Sequence, residues 1–449
     1  MQAFLQALAS NPHWYVLALL LSAAGVAILV RPSIATLYDP WAVQQIQTIF
    51  ASAAVIFMWI ENIIAPSLMI YHVAALSSFL VCAGLFFRQT IRSCLVNRTV
   101  QPRALNSLRN LLLALFVVSQ LGAWAIVGLP LFLESRLNAF SSGGGIGILS
   151  RIISFTSFAT VFLTVLRVGI SSRKRLNLTD GFVLTFTIAA SVANASKTNI
   201  VLTLLIILMS SWIFQHLIRD YAAPRVSRKK LISLALFLCM LVLVPVAVEM
   251  TRDSGVNASG PLEAAVIRLI FSGDGYMWMY GDDYLSKVTV DSPTALLFAD
   301  FLGVTRLVSW DQLPIHPGLQ IFQDLFPDSD SIRGPNLRVD TFGLLYGNMV
   351  FGVFFAALLG GVFGLLRGWL FKARSAVFFL PAAYLFFQAP TFLVDPLLGV
   401  TALVNTAFAM VIVAVAVVLV GKDPFAAGTR MRFHRLKAAM RASPQSTSP

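Results

Sequence analysis

One histidine, a run of aspartates and a scatter of arginines gather in residues 250–341, and they are the side chains best suited to moving a proton or holding an anion. His316 sits in Leu313-Pro-Ile-His-Pro-Gly318, a rigid turn-rich setting. An imidazole suits general-base work on a hydroxyl. Asp274, Asp282, Asp283 and Asp300 follow an amphipathic stretch and offer either a base or an anchor for arginine. Arg252, Arg268, Arg333 and Arg338 share the segment, and Arg151 and Lys197 are expected at the same level of the molecule. A guanidinium fork matches phosphate oxygens bidentately, so this set points to a phosphorylated ligand. The plainer alternative pairs each arginine with a nearby acid. Asp328-Ser-Asp330 fits a metal-binding DxD pattern, but two acids one residue apart are common by chance, and no metal site is assigned.

The elements that must position these groups are membrane helices. The chain is 57% hydrophobic and only 12% charged, with a mean hydropathy of +0.80. A bilayer core needs about 20 apolar residues per helix. Segments of that length lie near 14–31, 46–65, 67–87, 108–133, 147–170, 179–195, 199–218, 231–249, 341–366, 376–393 and 396–421. Unpaired backbone is costly in lipid, and the alternation of a barrel is absent, so these are read as helices. The expected fold is an all-α polytopic membrane protein of about 11 transmembrane helices. Residues 1–249 carry helices one to eight, 250–341 form one large loop with short amphipathic helices, 342–421 carry helices nine to eleven, and 422–449 form a basic tail.

Charge orients this arrangement. The large loop holds 12 acids against six bases, while the whole chain is formally +13. Of the 33 Lys and Arg, 23 fall in Arg31, the 88–109, 171–178 and 216–230 loops, the turn after the ninth span and the tail. Eleven spans put all of these on one side, which the positive-inside rule makes cytoplasmic. The amino terminus and the large loop then face outward. The high isoelectric point is read as topology, not as a nucleic-acid surface. Residues 1–13 carry no Lys or Arg, and the first apolar run is of spanning length, so a cleaved signal peptide is not expected. Three cysteines, none in the large loop, exclude a disulfide framework there.

Several features together carry a resemblance. Ser196-Lys197-Thr198 opens a leucine-rich helix, the large loop comes late in the chain, and Gly334-Pro-Asn336 leads through Gly343 and Tyr346-Gly347 into a Gly-rich span. In these respects the chain resembles the Wzy-type O-antigen and oligosaccharide repeat-unit polymerases of bacterial inner membranes. The likeness covers most of the chain as layout and is loose residue by residue. It implies a GT-C-like glycosyltransferase that moves a growing glycan from undecaprenyl diphosphate onto the next lipid-linked repeat unit at the periplasmic face, with no cofactor and no metal. It further implies Arg252, Arg268, Arg333 and Arg338 on the diphosphate, Lys197 and Arg151 in support, and His316 or Asp274 as base. The implied partners are the undecaprenyl-diphosphate-linked oligosaccharide, membrane lipid and a chain-length regulator protein, with no nucleic acid. An O-antigen ligase or, as a non-enzyme, a lipid-linked oligosaccharide flippase are the competing readings.

Overall fold

The computed structural model describes residues 1–93, 95–132, 146–171, 175–219, 221–223, 261–328 and 334–431. Among them, nine helices are long and apolar enough to cross a membrane: Pro12–Val30, Pro40–Ile60, Pro66–Ile91, Pro102–Phe132, Gly147–Ile170, Asn199–Leu217, Met349–Lys372, Ala376–Val394 and Pro396–Val420. A shorter apolar helix covers Leu178–Ala193. The expected span at 231–249 lies outside the described residues. The molecule is an all-α polytopic membrane protein in its described part, apart from one two-stranded ribbon.

Proline and a preceding cap set where several helices begin. Pro12, Pro40, Pro66, Pro102 and Pro396 each stand at the head of a helix, where the missing N–H costs nothing. Asp39 and Asp395 cap the helices that follow them through side-chain hydrogen bonds to Trp41 N and Leu397 N. The helices that bear on function are labelled α1 (Pro12–Val30), α2 (Pro40–Ile60), α3 (Pro66–Ser93), α4 (Pro102–Val127), α5 (Ile146–Ile170), α6 (Leu178–Ala193), α7 (Lys197–Leu217), α8 (Pro261–Ile270), α9 (Ala299–Val304), α10 (Pro317–Leu325), α11 (Val339–Tyr346), α12 (Met349–Lys372), α13 (Ala376–Gln388) and α14 (Pro396–Val420).

Two differences from the sequence expectation have clear causes. The ninth span, expected at 341–366, is two helices. α11 ends at Gly347, Asn348 caps α12 through Phe351 N, and the membrane helix runs to Lys372. The apolar run was continuous, but the Gly-Asn pair breaks the helix inside it. The second difference is a ribbon in which Leu95–Val100 pairs antiparallel with Phe425–Met431. Both stretches were expected as polar connections, yet the first, LVNRTV, is rich in β-branched residues.

The packing forms two cores. One gathers α1, α2, α3, α11 and α12 with Tyr276, Met277, Met279 and Tyr280 of the large loop. The other gathers α4, α5, α6, α7, α13 and α14. α3 and α12 pack along their length because glycines let the backbones meet. A Cβ at Gly352, Gly360, Gly364 or Gly368 would run into Tyr71, Phe79, Ala83 or Thr90. Buried ion pairs tie the ends remote from the large loop. Arg367 grips Asp39 through Nη2 at 2.7 and 2.6 Å, and Arg109 and Arg167 share Asp180.

Candidate functional site

The large loop does not lie flat on the bundle. Ser272 donates to the carbonyl of Gln47 at 3.2 Å, and Arg338 donates to the same carbonyl at 3.2 Å and to Thr48 Oγ1 at 3.4 Å. Gln47 lies 13 residues before the end of α2 at Ile60, on the order of 20 Å along the axis. The loop is therefore re-entrant: α8 and the turns after it descend beside α2 to that depth.

Asp274, Arg268 and Arg338 meet at the bottom of this descent. Asp274 is partly exposed and accepts a hydrogen bond from Gly275 N at 2.8 Å. Burial pushes its carboxyl up to about 6, and the positive charges of Arg268 and Arg338 only partly offset that rise. Arg338 is 5% exposed. Its hydrogen bonds go to a hydroxyl and a carbonyl, and no described carboxylate lies within ion-pair distance. By contrast, Arg151 is held by Asp300 at 2.5 Å, and Arg367 by Asp39. A buried guanidinium that spends its donors on neutral groups keeps its charge for an anion.

Beside this trio stands an aromatic cage around Asp340. His72 Nδ1 donates to Asp340 Oδ2 at 2.7 Å, and its Nε2 meets Ser52 Oγ at 3.1 Å. Tyr276 and Tyr280 donate to the same carboxylate at 2.8 and 3.5 Å, and Tyr71 donates to the Asp340 carbonyl at 2.5 Å. Burial alone would raise the Asp340 carboxyl. The hydrogen bond and charge of His72, with Tyr276 and Arg338 in support, outweigh it and hold the group below the usual carboxylate range. The same burial pushes the Tyr276 and Tyr280 phenols well up, so they stay donors. The cage fixes α11 and therefore Arg338, two residues before Asp340.

The other expected site residues fall elsewhere. His316 caps α10: its Nδ1 accepts from Gly318 N at 2.9 Å, and its Nε2 donates to Asp395 at 3.0 Å. As placed, both ring nitrogens are engaged in these two contacts. Its geometry pins α10 to the head of α14. Arg151 joins α5 to Asp300 on α9 and to Asn405 on α14, an inter-element tie and not a member of the trio. Lys197 begins α7, but its side chain, like Arg252 and Arg333 altogether, lies outside the described residues. Asp330 of the DxD pattern does too. Among the described residues no three His, Cys, Asp or Glu side chains converge to hold a metal ion.

The sequence ranks His72 as a weaker candidate than His316 and gives no reason to single out Tyr71 or Ser52; all three sit in membrane helices far from the loop in sequence. Two signals were available: a histidine within an apolar helix, costly unless partnered, and Asp340 at a helix head. Comparison of the chain with family models, curated proteins and solved structures finds no match.

Proposed function

We propose that this protein is a bacterial inner-membrane glycosyltransferase of GT-C-like layout, which polymerises undecaprenyl-diphosphate-linked oligosaccharide repeat units at the periplasmic face. The observation that carries the reading is the proximity of Arg338, a buried cation without an ion-pair partner among the described residues, to Asp274, a carboxyl whose affinity for protons is raised towards neutrality.

Transfer needs a proton acceptor and an anion clamp a few ångströms apart. Asp274, ionised above about pH 6, takes the proton from the acceptor sugar hydroxyl. The freed oxygen forms a bond to the anomeric carbon of the donor. The bond from that carbon to the diphosphate oxygen breaks, and its electron pair leaves with the lipid diphosphate. Arg338 and the nearby Arg268 stabilise the charge that builds there. Arg252, Arg333 and Lys197 complete the proposed clamp. The re-entrant loop brings Asp274, Arg268 and Arg338 to the depth at which a polyprenyl carrier would lie.

The test is reconstitution. Purified protein in nanodiscs, given a polyprenyl-diphosphate-linked repeat unit, is expected to yield a ladder of glycans on a gel. A folded protein that yields none would overturn the reading.

A further inference from the structure

At the end of the bundle remote from the large loop, a pocket of about 580 Å3 lies between the ribbon, the head of α4 and the last turn of α14. Arg103, Lys422, Gln101 and Ser107 line it, with Pro102 and Val420 among its apolar walls. Its size falls within the roughly 300–1,000 Å3 of small-ligand sites. Pro102 opens one membrane-crossing helix and Val420 closes another, so the pocket sits where both leave the bilayer. The opposite end of α14 meets the large loop, where His316 bonds Asp395 at 3.0 Å.

The polar groups of this pocket are unspent. Arg103, Lys422, Gln101 and Ser107 are exposed, and none of their side chains bonds a described residue. Other arginines at this end are occupied: Arg98 donates to the carbonyls of Leu370 and Ala373, Arg109 and Arg167 share Asp180, and Arg367 grips Asp39. Asp423, beside Lys422, is turned elsewhere, and its carboxylate accepts from Ala376 N at 3.1 Å and from Phe425 N at 2.8 Å. Gln101 N donates to Pro424 O at 2.9 Å, which ties the head of α4 to the chain just beyond α14. That tie brings together two cations more than three hundred residues apart in sequence. Ser107 lies four residues after Arg103 on α4, on the same helix face.

We infer that this pocket binds a phosphate group, supplied by the head of an anionic membrane lipid. The Arg103 guanidinium offers a planar fork to two phosphate oxygens, and Lys422 adds a compact positive charge. The Ser107 hydroxyl and the Gln101 amide add further donors. Free phosphate shares this chemistry, but the level of the pocket favours the lipid. A headgroup phosphate lies where membrane helices end, and basic pockets between such helices take anionic heads. The walls at Pro102 and Val420 suit the apolar part of the lipid below its phosphate. An excess of Lys and Arg on one face follows from topology alone. Topology does not supply a walled pocket in which two unpaired cations from α4 and the end of α14 converge. A lipid seated there bridges two helices of the second core. This inference involves no reaction and stands apart from the glycosyl-transfer reading.

Native mass spectrometry of the full chain released from detergent tests this, with phosphatidylglycerol and phosphatidylcholine of identical acyl chains as probes. Phosphatidylglycerol is expected to stay bound where phosphatidylcholine does not. Arg103→Gln combined with Lys422→Gln should weaken its binding about tenfold. Both positions are exposed, so the unfolding temperature of this variant in phosphatidylcholine nanodiscs should match that of the wild type. Arg31→Gln combined with Lys372→Gln removes the same charge from exposed positions outside the pocket and should leave lipid binding unchanged. Equal losses in the two double variants, or no loss in the first, would overturn the proposal, because the attraction would then belong to the basic face as a whole. Failure to retain phosphatidylglycerol would overturn it too. Added inorganic phosphate separates the two sources. Lipid that stays bound at millimolar phosphate supports the lipid head as ligand; phosphate that displaces it, with the same dependence on Arg103 and Lys422, overturns that assignment in favour of a soluble phosphate.

Discussion

The two cores place their buried polar groups differently. The core built on α2, α3 and α12 buries charge: Asp340 with His72, Arg338 beside Asp274, Arg367 on Asp39. The core built on α4 to α7 and α13 keeps its buried charge, Arg109 and Arg167 on Asp180, at the end remote from the large loop, and elsewhere gathers neutral hydroxyls and amides. Charged groups in low dielectric interact strongly and shift one another's protonation, which suits chemistry. Neutral groups make many weak directional bonds without titrating, which suits recognition. On the proposed reading the first core is the reacting half, and Arg151–Asp300 and His316–Asp395 tie the large loop to the second.

The sharpest way to break that division is Asp274→Asn. If Asp274 is the base, the ladder rate should fall by about a thousandfold while expression and insertion persist; a variant within a few fold of wild type would move the chemistry elsewhere. Asp340→Ala should act on the fold first. It strips His72 and two tyrosines of their buried acceptor, so thermal unfolding in detergent should show a loss of about 3 kcal/mol. Arg338→Gln keeps much of the side chain's bulk and removes the charge. A drop of about a hundredfold in transfer is expected, larger at low concentrations of lipid-linked donor, and steady-state rates across a donor series would reveal it.

Acidity gives a gentler probe with opposite signs at the two carboxyls. Asp274 has a raised affinity for protons, so transfer should rise as pH climbs through about 6, and Asp274→Asn should erase that limb. The same shift means that its contribution to fold stability declines between about pH 4, its unfolded value, and 6. Asp340 is shifted down, so the stability it contributes is present above its unfolded value and is lost as pH falls through its lower folded value.

The membrane helices were legible from composition, because a run of apolar residues long enough to cross lipid has few other uses. Their ends were not. α2 and α4 begin at Pro40 and Pro102, six residues before the expected spans at 46 and 108. Their first two turns carry Gln44, Gln45 and Asn106, which a hydropathy reading assigns to loops. The amphipathic character of 262–272 did announce α8. Its depth was hidden, since it depends on Ser272 and Arg338 finding Gln47, more than two hundred residues away. Asp274, Arg268 and Arg338 could be picked by residue type and neighbourhood. The partners of Asp340 could not, because two of them come from α3. The neutral polar cluster of α4 to α7 and α13 was invisible for a further reason: serines and threonines in membrane helices usually bond their own backbone, and only packing reveals which of them share a space.

The glycine seam between α3 and α12 has a consequence for how the chain is made. α3 is complete at Ser93, whereas the first glycine that fits it, Gly352, is synthesised some 260 residues later. Through all of that interval the groove along Tyr71, Phe79 and Ala83 must be filled by lipid or by a helix that will later give way. His72 lies in the same groove and waits equally long for Asp340. The core of α1, α2, α3, α11 and α12 therefore closes late, when α11 and α12 enter a slot left open near the start of translation. Any delay in inserting α12 would leave a protein that is embedded, largely helical and inert.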